Sequence, residues 1–185
     1  MNDQKIKLAI ESLLDGLGVN WPGDQNFHET PTRVLKAYKE ILIGQDNEKE
    51  VEKIFAKSFP TTYKGLVAQK GIKTTGMCPH HLLPIKYSID IGYIANNQAL
   101  GLSKLVRISK LLSARLVLQE TLTQDIVDAF VNNLKVAGVI VVVRGEHGCM
   151  CHRGVNQNVI TTTSSIYGTF DGDYAARQEF LTLNV

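Results

Sequence analysis

Apolar residues in the first third of the chain recur at helical spacing. Ile6, Ile10, Leu13, Leu14 and Leu17 share one face until Gly16 and Gly18 break the pattern. After the turn-like stretch "NWPGDQNFHE", Thr30 is placed to cap a second helix with Pro31 at its first position. Val34, Ala37, Tyr38, Ile41 and Leu42 line its predicted buried face, and Gly44 stops it. A shorter third helix carries Val51, Ile54 and Phe55.

Beyond residue 64 the period changes. In "LPIKYSIDIGYIA" the residues Ile85, Tyr87, Ile89, Ile91 and Tyr93 alternate with Lys86, Ser88 and Asp90, which predicts a half-buried strand. Asn96-Asn97 supplies a turn, and an earlier strand is expected near Gly65 to Thr75. Two helices are predicted at roughly Ser103–Leu116 and Thr121–Leu134. "GVIVVVRG" and "VITTTSSIYGTF" read as strands, followed by a short terminal helix. Helices, two strands, two helices, two strands and a tail make an α+β domain with an N-terminal helical arm.

Composition narrows the function without naming it. The chain has 185 residues, 44% hydrophobic and 21% charged, with a formal net charge of +2. That balance predicts no general affinity for nucleic acid or membrane, so anion binding must come from a local cluster. Lys5, Lys7 and Glu11 interrupt the apolar positions of Met1–Gly18, which argues against a signal peptide. No apolar run nears the ~20 residues of a membrane span. A cytoplasmic protein with reduced thiols is expected. Three cysteines, an odd number, favour metal binding or catalysis over a disulfide framework.

The chemistry gathers in two segments. "GMCPHHLLP" offers Cys78, His80 and His81, and "EHGCMCHRG" offers His147, Cys149, Cys151 and Arg153 at steps of two. In an extended segment those four side chains would share one face. Cys78, His81 and Cys149 would form a zinc site whose fourth position stays open to water, as in catalytic sites. The plain alternative is two buried cysteines and hydrogen-bonded histidines. Cys151 as a further ligand would close the site, but two residues one apart in a straight strand lie about 6.5 Å from each other. It is therefore read as a neighbour.

Two more stretches carry charge to helix starts. In "GLSKLVRI", Ser103 is a natural N-cap, and Lys104 and Arg107 lie three apart on the opening turn, suited to a phosphate chain. A solvated helix face is the ordinary alternative. In "LVLQETLT", Gln119 and Glu120 set an amide beside a carboxylate, which can read the paired N–H groups of a guanine or pterin ring. Alone, Glu120 would be merely a favourable charge in a first helical turn.

Taken together, these stretches resemble the GTP cyclohydrolase I family from about Glu29 to Leu181. "ETPTRV", "CPHHLLP", "GLSKLVRI", "QETLT", "HGCMCHRGV", "TTTSSIYGTF" and "RQEFL" carry the resemblance in order. It implies Cys78, His81 and Cys149 as ligands of Zn2+, and His80 and His147 as proton carriers. It implies Gln119 and Glu120 at the guanine end of GTP. Ser103, Lys104, Arg107 and Arg153 would meet ribose and triphosphate, with Arg33 arriving from a neighbouring subunit. The fold implied is the tunnelling fold, an antiparallel sheet with two helices on one face, over residues 63–185. Residues 1–62 would be the helical arm. Subunits of that fold assemble into a barrel, and the family's enzymes are usually homodecamers of two pentamers with sites at subunit interfaces. One departure stands out: the family usually has glutamate where this chain has Pro79. A same-fold enzyme for another purine nucleotide, or a non-catalytic paralogue with structural zinc, are the alternatives.

Overall fold

In a computed structural model that describes residues 1–45 and 48–183, the chain divides into two compact units, Met1–Ile43 and Gly44–Val185. The third helix, expected in the helical arm, packs with the sheet unit, where Phe55 enters the main core.

In the first unit, α1 (Asp3–Gly16) and α2 (Thr30–Ile41) pack together. Asn2 caps α1 by accepting from the Lys5 N–H. The N-cap of α2 is Glu29, one residue before the expected Thr30. Pro31 and Leu35 are its buried residues, whereas Ala37, placed on the apolar face by its spacing, is exposed.

The second unit holds α3 (Glu48–Phe55), β1 (Ser58–Pro60), β2 (Leu66–Met77), β3 (Pro84–Ala95), β4 (Gln98–Leu100), α4 (Leu102–Ser113), α5 (Gln119–Asn133), β5 (Val136–His147), α6 (Gly148–Cys151), β6 (Ile160–Gly168), α7 (Thr169–Gly172) and α8 (Tyr174–Thr182). Strands β2-β3-β5-β6 form an antiparallel sheet in that order, and β1 pairs with β4 in a small second one. These two three-residue strands, and α7, went unforeseen because such short elements show no period.

The alternation read in β3 is realised. Ile85, Tyr87, Ile89, Ile91 and Tyr93 join Val139, Val141 and Val143 of β5 under Leu105, Ile108, Leu122, Ile126 and Phe130 of α4 and α5. The architecture is thus α+β, with two long helices on one sheet face. On the other face, Ile140 and Val142 meet Phe170 and Phe180 of α7 and α8. A bulge in β2 follows Gln69, where Gly71 adopts φ +72° and donates its N–H to Asp90 Oδ1 at 2.7 Å. Asp90 Oδ2 in turn accepts from Arg144 at 2.7 Å, so its buried charge is paired. Among the described residues, no helix is long and apolar enough to cross a membrane.

Candidate active site

One end of the large sheet collects the chemistry. The period of two that buries Val139, Val141 and Val143 continues to Gly145 and His147, so His147 leaves β5 on the helix-bearing side. It pairs with Ile85 at the start of β3. Strand β2 ends alongside at Met77 and hands the chain to a loop over residues 78–83. That loop is closed by the Cys78 N–H on Leu83 O and the Leu82 N–H on Cys78 O, both at 2.9 Å. The first turn of α5 faces the same end, two residues earlier than expected because Leu118, in extended conformation, already accepts from the Leu122 N–H. Between them lies a cavity of about 230 Å³ that Cys78, His80, Glu120, His147 and Cys149 help to line.

Cys78, His81 and Cys149 bring their donor atoms within 4.8 Å of one another, and Cys78 Sγ lies 4.0 Å from His81 Nδ1. With Zn–S near 2.3 Å and Zn–N near 2.0–2.1 Å, tetrahedral ligands stand about 3.5–3.8 Å apart. Two thiols and an imidazole at this spacing fit zinc after a small contraction. Burial, then the nearby Cys78, pushes the Cys149 thiol above its ordinary pKa, while Arg153 opposes weakly. Metal binding must therefore displace its proton.

The expectation of one extended segment from His147 to Arg153 is corrected. The strand stops at His147, and residues 148–151 form a single helical turn, α6. Gly148 permits it, since a Cβ there would lie 2.8 Å from Pro84 O. The turn aims Cys149 at Cys78 and sends Cys151 toward Asn158, with Sγ 3.7 Å from Oδ1. Arg153 returns to the site by another route, donating from Nη1 to His81 Nε2 at 3.0 Å.

Gln119 is 2% exposed, and its side chain is committed to protein partners. Its Nε2 donates to the carbonyls of Val143 and Thr161, each at 3.0 Å, and lies 3.2 Å from Thr163 Oγ1. Its Oε1 is 2.8 Å from His147 Nε2. Carbonyls only accept, so the amide has one orientation, and His147 Nε2 must be the donor. Nδ1 keeps the lone pair. Burial lowers the His147 pKa, with the Glu120 carboxylate opposing. The neutral imidazole is favoured near pH 7.

Tyr87 escaped notice as anything but core. Its ring meets His147 edge to face at 6.4 Å, and its hydroxyl is buried without a hydrogen-bond partner among the described residues. Burial, then Cys78 and Glu120, pushes its pKa up, so it stays a neutral phenol. Its place on the apolar face beside Ile85 was visible in the alternation; its orphaned hydroxyl was not.

The remaining expected residues lie elsewhere. Gly101, not Ser103, is the N-cap of α4, because the Lys104 N–H already closes on Gly101 O at 2.8 Å. Lys104 and Arg107 line a different cavity, between α3 and α4, that shares no residue with the first. Arg33 belongs to the first unit, where it pairs with Glu29 at 2.6 Å.

A family model described as GTP cyclohydrolase I matches residues 6–184. GTP cyclohydrolase 1 of Halalkalibacterium halodurans is 38% identical over 185 residues, spanning 99% of this chain and 97% of the relative. Human GTP cyclohydrolase 1 is 40% identical over 185 residues, spanning 99% and 73%. Among solved structures, the archaeosine synthase QueF-Like in its apo form aligns with a TM-score of 0.45 at 17% identity, over 56% of this chain and 96% of that one. The thiol–imidazole cluster lies within the matched segment, and on a match of this extent the chain belongs to the GTP cyclohydrolase I family.

Proposed function

We propose that the protein is a zinc-dependent GTP cyclohydrolase I, which hydrolyses the imidazole ring of GTP at C8, releases formate and recloses the product as 7,8-dihydroneopterin triphosphate. The convergence of Cys78, His81 and Cys149 on a cavity shared with His147 and Glu120 carries this reading. Those three residues would hold zinc, which supplies Lewis acidity and brings the pKa of a coordinated water to about 7. His147, oriented by Gln119, offers Nδ1 to accept a proton. His80, exposed on the cavity wall, is the second proton carrier. The Glu120 carboxylate, solvent-exposed at the cavity, accepts from the N–H edge of guanine.

The phosphate end of GTP comes from another copy of the chain. Leu100, just before α4, donates its N–H to the Tyr93 hydroxyl, whereas His147 sits opposite Ile85. Eight residues of β3 separate these points, about 26 Å. A separation of that order supports a site assembled from two copies rather than one spanned within a single chain. Ser103, Lys104 and Arg107 then serve a neighbour's zinc cavity, and Arg33 likewise, in a homo-oligomer of the family's decameric kind. Arg153, already beside His81, serves its own.

Incubation with GTP tests the reading. One formate per GTP and a product that fluoresces after oxidation are expected, and both are lost in Cys149→Ser together with zinc. Pro79 lines the cavity where the family usually has glutamate, which singles out the substrate as the point to check. Formate from another purine nucleotide but not from GTP would move the substrate, and formate from none would leave a zinc-stabilised paralogue.

A further inference from the structure

The cavity between α3 and α4 measures about 420 Å³, and its walls hold Lys53, Lys57, Lys104 and Arg107. Glu50 is the only carboxylate among its described lining residues, and it is spent on an ion pair with Lys53. Among the described residues, no ion pair engages Lys57, Lys104 or Arg107. Three uncompensated cations therefore face one space. Lys104 registers the crowding: desolvation, then the charges of Arg107 and Lys57, lower its pKa. A cluster that repels itself in this way is relieved by a polyanion.

We propose that Lys57 is a phosphate-binding residue and that, with Lys104 and Arg107, it forms a three-cation cradle for a triphosphate chain. Lys104 and Arg107 stand one helical turn apart on α4, about 5–6 Å between Cβ atoms, and so cover neighbouring phosphates. Lys57 follows α3, lines the same cavity, and would serve a third. A triphosphate chain can engage all three cations at once where a single phosphate engages fewer, so the cradle favours the longer chain. The proposal rests on the GTP reading only for what the phosphates are attached to.

Tripolyphosphate and orthophosphate binding to the full-length protein, followed by calorimetry with zinc content checked before and after, separates the two. Lys57→Ala is expected to weaken tripolyphosphate about tenfold, the low end for an exposed charge-assisted bond, and to change orthophosphate far less. Lys57→Arg should retain most of the affinity. Lys53→Ala, whose charge is already paired, should have little effect. Lys57 is exposed, so its truncation should not disturb folding. Unchanged tripolyphosphate binding in Lys57→Ala overturns the cradle, as does an equal loss in Lys53→Ala, which would mean general surface charge. A wild-type protein that yields no formate from GTP, yet loses tripolyphosphate affinity with Lys57→Ala, sinks the GTP reading and leaves the cradle standing.

Discussion

The Gln119 amide decides what His147 can do. Both Nε2 hydrogens are taken by strand carbonyls and a threonine hydroxyl, so Oε1 alone faces the imidazole and fixes its tautomer. With Nδ1 as the base and burial lowering the pKa, protonation that removes the base occurs below the ordinary 6.5. The acid limb of kcat/KM is therefore expected below pH 6.5. Gln119→Glu should move it upward, because an anion beside the ring favours the charged form. The same change leaves the carbonyls of Val143 and Thr161 without their donor, at a cost of about 1–3 kcal/mol in stability. An acid limb at or above 6.5 in the unaltered protein would contradict the assignment of His147 as base. The sequence placed Gln119 beside Glu120 at a helix entrance and suggested a reader of the substrate ring. It could not disclose that the amide is buried, because the partners come from β5 and β6, up to 44 positions away.

At the scale of elements, the junction of β5 and α6 determines which cysteine is placed to meet a metal. A straight continuation would have carried His147, Cys149, Cys151 and Arg153 on one face; the single turn separates them. Cys151→Ser should thus keep about one zinc per chain, while Cys149→Ser should lose it, as measured by metal analysis of the purified variants. Loss of zinc from Cys151→Ser would show that α6 rearranges to bring both thiols in. The strands themselves were legible for two reasons: β3 alternates apolar with polar residues from Ile85 to Tyr93, and β5 is a β-branched apolar run buried on both faces. The break after His147 was not, since it depends on how closely Gly148 approaches Pro84 O across the sheet. Helix starts erred by one or two residues for a similar reason: Thr30 and Ser103 have good capping side chains, yet the backbone closes its first turn earlier.

For the whole molecule, the two cavities share no lining residue, and that separation is the ground for the proposed shared site. Lys104 lies toward the Tyr93 end of the sheet and Cys149 at the Ile85 end, so the proposed site would take its metal half from one copy and its phosphate cradle from another. The sequence showed both halves as motifs but gave no distance between them, which only the length and direction of β3 supply. Lys104→Ala and Cys149→Ser should each be nearly inactive when pure. Denatured, mixed in equal amounts and refolded with zinc, they should regain about a quarter of wild-type formate release, because random assembly pairs an intact metal half with an intact cradle in about one site in four. In the pure variants every site carries the same defect, and refolding alone restores nothing. If the mixture stays as inactive as its parents, although sizing shows mixed oligomers, Lys104 acts within its own chain and the shared site is wrong.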